Sequence, residues 1–96
     1  MSPKNKIKLN LLRKKLDELD WQLLKTIKKR TTIVKQVLSL KSYKNEIVDK
    51  KRIQVILKKI RKESIKQNID PNITKRIWKN MIWSYINFEK KNFKKK

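Results

Sequence analysis

"LDELDWQLLKTIKKRTTIVKQVLSLK" (residues 16–41) reads as one uninterrupted helix with an apolar stripe. Leu16, Leu19, Leu23, Ile27, Ile33 or Val34, and Val37 recur at helical spacing. Arg30 falls in the middle of that stripe and Lys41 at its end. They are 11 residues apart, so at ~100° per residue they differ by about 20° and share one face roughly 16 Å apart. A guanidinium and an ammonium on an apolar face are costly unless something pairs with them.

The stretch belongs to a longer helix that runs from about Leu9 to about Ser42 without Pro or Gly. "SYKNE" (42–46) is a polar turn, and a second helix spans about Ile47 to Gln67, with Ile53, Ile56, Leu57 and Ile60 on one face. "QNIDPN" (67–72) stops that helix and starts another, with Asp70 as N-cap and Pro71 at the first helical position. The third helix runs to about Phe93, with Ile73, Ile77, Trp78, Met81, Ile82, Tyr85, Ile86 and Phe93 inward. Trp21 and Trp78 read as core or dimer packing and Trp83 as half-exposed. The expected organisation is a disordered tail over 1–8, one all-α domain over 9–93 and a basic tail over 94–96. Some 34 helical residues at ~1.5 Å each span roughly 50 Å, well beyond a compact domain whose radius of gyration is ~13 Å. A polar three-helix chain also buries little apolar surface by itself. Both points favour an intertwined homodimer in which the first helix packs on both protomers.

Composition narrows the chemistry. The 96 residues contain no Cys, His or Gly, which removes thiol and imidazole chemistry and glycine-rich phosphate loops. The eight Asp and Glu form no metal-like cluster, so no metal and no cofactor is expected, and catalysis must work by charge and positioning. The net charge of +21 suggests a nucleic-acid or anionic-membrane partner. Against that, Lys outnumbers Arg 24 to 5, and Lys, Ile and Asn make up 45 of the 96 residues, a skew that looks like base bias. Arg is the richer phosphate reader, so nucleic acid is an unfavoured partner. "MSPKNKIKLN" has no signal-peptide run and no stretch is apolar enough to span a bilayer, so a cytoplasmic, membrane-free protein is expected.

Further charges join Arg30 and Lys41. Arg13 lies 17 residues before Arg30 and points about 100° away, toward a different partner. Asp49 and Arg52 are i, i+3 neighbours at the start of the second helix, and Arg52 borders the Ile53/Ile56 stripe. Glu89 continues the line Trp78, Ile82, Tyr85. One such charge can snorkel. Four on three helices, mainly cationic, call for a small anion with more than one carboxylate.

Arg13, Arg30, Lys41, Asp49, Arg52 and a polar residue at 89 form a pattern that resembles the all-α class of chorismate mutase and its relative isochorismate pyruvate lyase. The likeness covers about residues 9–93 and is most specific on the first helix. It implies an intertwined dimer with two identical sites. Arg30, Arg52 and Arg13 of the partner subunit would clamp the substrate carboxylates. Lys41 would donate to the ether oxygen and a carboxylate, and Asp49 would sit near the ring hydroxyl. Glu89, where many members carry Gln, would donate to the ether oxygen in its protonated form. Tyr85 and Ile53 would line the site. Classical mutases usually carry Glu directly after the helix-2 Arg; Ile53, together with "MIWSYINFE" (81–89), looks closer to the lyase branch.

The implied reaction is the [3,3] rearrangement of chorismate to prephenate, which needs no nucleophile. Cations hold the compact conformer, and fixed donors meet the charge that grows on the ether oxygen. The alternative is elimination of pyruvate from isochorismate to leave salicylate. A further alternative is a non-enzymatic basic helical binder of nucleic acid.

Overall fold

The computed structural model describes residues 1–94. It is all-α: α1 (Pro3–Leu40), a 3₁₀ turn (Lys44–Glu46), α2 (Lys50–Lys66) and α3 (Pro71–Asn92). The basic tail expected over 94–96 lies largely outside the described residues. The chain divides into two compact units, Met1–Val34 and Lys35–Lys96.

The first unit is helical from Pro3, ahead of Leu9, so residues 3–8, expected as a tail, continue the helix. Ser2 is the reason: its Oγ accepts from Asn5 N at 3.2 Å, and Pro3 fits the first helical position. No residue of α1 is buried. The stripe is in solvent: Leu16, Leu19 and Leu23 are each close to 58% exposed, and Trp21, expected to pack, is 65% exposed. Arg30 and Val34 are half-buried.

In the second unit α2 packs on α3. Ile47, Ile82 and Ile86 are buried, with Leu38, Val48, Ile53, Ile56, Leu57 and Phe93 packed against them. Full burial of such a side chain contributes about 1.5–3 kcal/mol, so this is a small core. α2 starts at Lys50, later than Ile47, because Asp49 caps it: Asp49 Oδ1 accepts from Arg52 N at 3.0 Å. The residues before it are held by Glu46, whose Oε1 accepts from Ser42 N (3.1 Å) and Tyr43 N (2.8 Å).

α2 ends in a Schellman turn. Asn68 has φ 59°, Ile69 N donates to Ser64 O (2.8 Å) and Asn68 N to Ile65 O (3.1 Å). A chain without glycine uses Asn, the next residue most at ease in the left-handed region. Asp70 then caps α3 through Asn72 N at 2.9 Å, with Pro71 opening the helix as expected.

The inward face of α3 differs from expectation at its start. Ile82 and Ile86 are buried, and Trp78, Met81, Tyr85 and Phe93 half-buried, but Ile73 and Ile77 are exposed at 55% and 53%. Thr74 takes the inward position, and its hydroxyl meets Ser64 Oγ of α2 at 2.7 Å in a buried bond. A polar pair thus sets the rotation of α3 there. Ile73 sits about 100° to one side of Thr74 and Ile77 about 60° from it, away from the α2 contact.

Candidate functional site

The ends of the helices bring one charged pair into the second unit's interior. Lys41 directly follows α1, its backbone N–H tied to Leu38 O at 3.1 Å. Glu89 projects from the last turns of α3, one turn after Ile86 and two after Ile82 on the same face. Lys41 Nζ donates to Glu89 Oε1 at 3.1 Å. Glu89 is 6% exposed. The pair therefore sits at the edge of the isoleucine core, where water screens it little and each charge depends on the other.

An open cavity of about 610 Å³ adjoins the pair, lined by Lys41, Glu46, Val48, Asp49, Lys50 and Lys51. Asp49 is exposed, its carboxylate engaged in capping α2. Arg52 is exposed on the first turn of α2. Ile53 is half-buried against the core, so the position after Arg52 offers packing and no hydrogen bond to a ligand. Tyr85 is half-buried one turn before Glu89.

The predicted site residues thus divide between the two units. Lys41, Asp49, Arg52, Ile53, Tyr85 and Glu89 belong to Lys35–Lys96, and Arg13 (exposed) and Arg30 (half-buried) to Met1–Val34. The structure joins Lys41 to Glu89 directly and to Asp49 through the cavity wall. Glu46, Lys50 and Lys51 also line that cavity, although sequence reasoning passed over them. Glu46 carried a signal, an acid three residues after Tyr43 in the capping-box position. Among the described residues no group of three or more His, Cys, Asp or Glu is placed to hold a metal ion, and no helix is long and apolar enough to cross a membrane.

The family model for chorismate mutase type II matches residues 12–90. The chain belongs to that family. It is also 37% identical over 76 residues to the chorismate mutase of Methanocaldococcus jannaschii, covering 78% of this chain and 77% of the relative. Both likenesses point to chorismate mutase activity. No solved structure matches the chain significantly. The matched span runs from just before Arg13 to just after Glu89, so every residue singled out above lies within it.

Proposed function

We propose that this family member converts chorismate to prephenate by the intramolecular [3,3] rearrangement, as a homodimer with two equivalent sites. The observation that carries the proposal is the Lys41–Glu89 pair at the core edge, beside a cavity, in a chain of this family. An ammonium held this way is a fixed donor for an oxygen that gains negative charge as a C–O bond breaks. Such a donor favours the transition state over the ground state.

In this reading Arg30, Arg52 and Arg13 of the partner subunit grip the two carboxylates and hold the reactive conformer. Lys41, held by Glu89 through one of its three N–H donors, gives the others to the ether oxygen and a carboxylate. Glu89 approaches the ether oxygen from the other side, and Asp49 lies near the ring hydroxyl, its backbone fixed by the α2 cap. Tyr85 and Ile53 contribute apolar wall. Dimerisation is supported by the bare stripe of α1, on which Leu16, Leu19 and Leu23 remain more than half exposed. A second copy is the occupant that the family's two-site architecture implies.

Ile53 favours a second reading. An Ile at this position, packed against the isoleucine core, supplies no carboxylate where classical mutases present one to the substrate hydroxyl. That supports isochorismate pyruvate lyase activity in the same clamp.

The deciding experiment incubates the protein with chorismate and, separately, isochorismate, and identifies products by chromatography. We expect prephenate from chorismate. Salicylate and pyruvate from isochorismate, with little prephenate, would promote the second reading, and Ile53→Glu should then shift turnover toward chorismate. A folded protein that turns over neither would refute both.

A further inference from the structure

Lys41 is hemmed in by acids. Glu89 pairs with it, and Glu46 and Asp49 line the same cavity. Three of the chain's eight acids are thus gathered in this corner. Lys41 set against them leaves a formal charge of −2, which would repel a dicarboxylate. Lys50 and Lys51 are the remaining charged residues of the lining, and they bring the balance to zero. Arg52, next along the chain, turns it positive.

Local helix physics does not explain these two lysines. They open α2, whose first turn holds no acid, and the positive end of a helix dipole disfavours cations. Among the described residues neither makes a side-chain hydrogen bond or ion pair, while the carboxylates of Glu46 and Asp49 are fixed to backbone N–H groups and Glu89 to Lys41. Two exposed cations thus line a cavity whose other charges are already engaged.

We propose that Lys50 and Lys51 form an electrostatic rim that admits a dicarboxylate to the cavity and sets its affinity without taking part in the chemical step. This inference rests on the reading of the site given above. The rim draws a dianion past Glu46 and Asp49 and hands it to Lys41 and Arg52. Because the lysines are exposed, their effect is screened by salt.

The test compares the double variant Lys50→Gln/Lys51→Gln with Lys59→Gln/Lys62→Gln, which removes the same charge from α2 away from this cavity. Far-UV circular dichroism checks that both stay helical. For the rim variant we expect KM for chorismate to rise about tenfold at ~0.01 M ionic strength, kcat to change less than about twofold, and the salt dependence of kcat/KM to flatten. The control variant should keep the parent KM and salt dependence. An equal rise in both variants would reduce the effect to net charge and overturn the rim, as would an unchanged KM or a loss confined to kcat. Should the parent protein turn over neither chorismate nor isochorismate, the functional reading fails, and calorimetric titration with isophthalate then tests the rim alone. Weaker binding to the rim variant than to the control supports it; equal binding overturns it.

Discussion

At the residue scale, Lys41 and Glu89 carry the most information. A partly buried ammonium and a buried carboxylate 3.1 Å apart are each expensive alone, so loss of either leaves the other stranded. In the proposed reaction Lys41 donates to the breaking bond, so it should matter far more to turnover than its ion pair suggests. We expect Lys41→Ala and Arg30→Ala each to lower kcat/KM for chorismate by more than ~100-fold, the size typical of losing one such donor. Steady-state kinetics on folded variants checks this, and near-normal turnover in either would remove that residue from the site. Glu89→Gln exchanges the carboxylate for an amide that donates, so in the proposed reaction we expect steady-state turnover of chorismate to stay within about tenfold of the parent; a larger loss would leave Glu89 as a partner of Lys41 and nothing more. The resemblance puts Lys41 and Glu89 on either side of one ether oxygen; spacing along single helices cannot show that they pair directly, because 48 residues separate them.

At the element scale, the helices were legible because their signals are local. Asp70-Pro71 reads as a helix start in any context, and Asn68 closes α2 in the left-handed conformation that would ordinarily take glycine. Asp70→Ala should cost about 1 kcal/mol in denaturant unfolding, the usual worth of such a cap, while leaving kcat/KM unchanged. A drop in turnover would mean that the α2–α3 turn communicates with Lys41. The errors were also local in origin. The start of α1 was placed at the first apolar residues, though Ser2-Pro3 carries its own start signal. The start of α2 was placed at Ile47, which lies in the core without being helical. Asp49, read for its part in the site, is also the residue that delays the helix. Ile73 and Ile77 were assigned inward from their spacing, which fits a face but does not say which neighbour covers it; the Ser64–Thr74 bond turned α3 the other way.

At the scale of the whole molecule, the balance is between apolar surface and charge. Leu16, Leu19 and Leu23 keep more than half their surface in water, and each would gain on the order of 1 kcal/mol by burial. A net charge of +21 per chain opposes any association of copies. The proposed dimer should therefore tighten as salt rises toward physiological strength, where like charges are screened beyond ~8 Å. Analytical ultracentrifugation across a salt series measures this, and Leu19→Glu should yield a monomer at concentrations where the parent sediments as a dimer. A parent chain that stays monomeric at all salt concentrations would sink the two-site architecture.

The sequence by itself determined three helices, the Asp70–Pro71 start of the third, the family and the list of charges that do not belong on apolar faces. All of these depend on neighbours within a few turns or on a spacing along one helix, and such information is written in order along the chain. Only the tertiary structure decided that Lys41 meets Glu89, that Thr74 displaces Ile73 and Ile77 from the α2 contact, and that Glu46, Lys50 and Lys51 share a cavity wall with Lys41. Those outcomes turn on which face of one helix finds which face of another. A one-residue rotation of about 100° changes the answer while leaving every local preference satisfied.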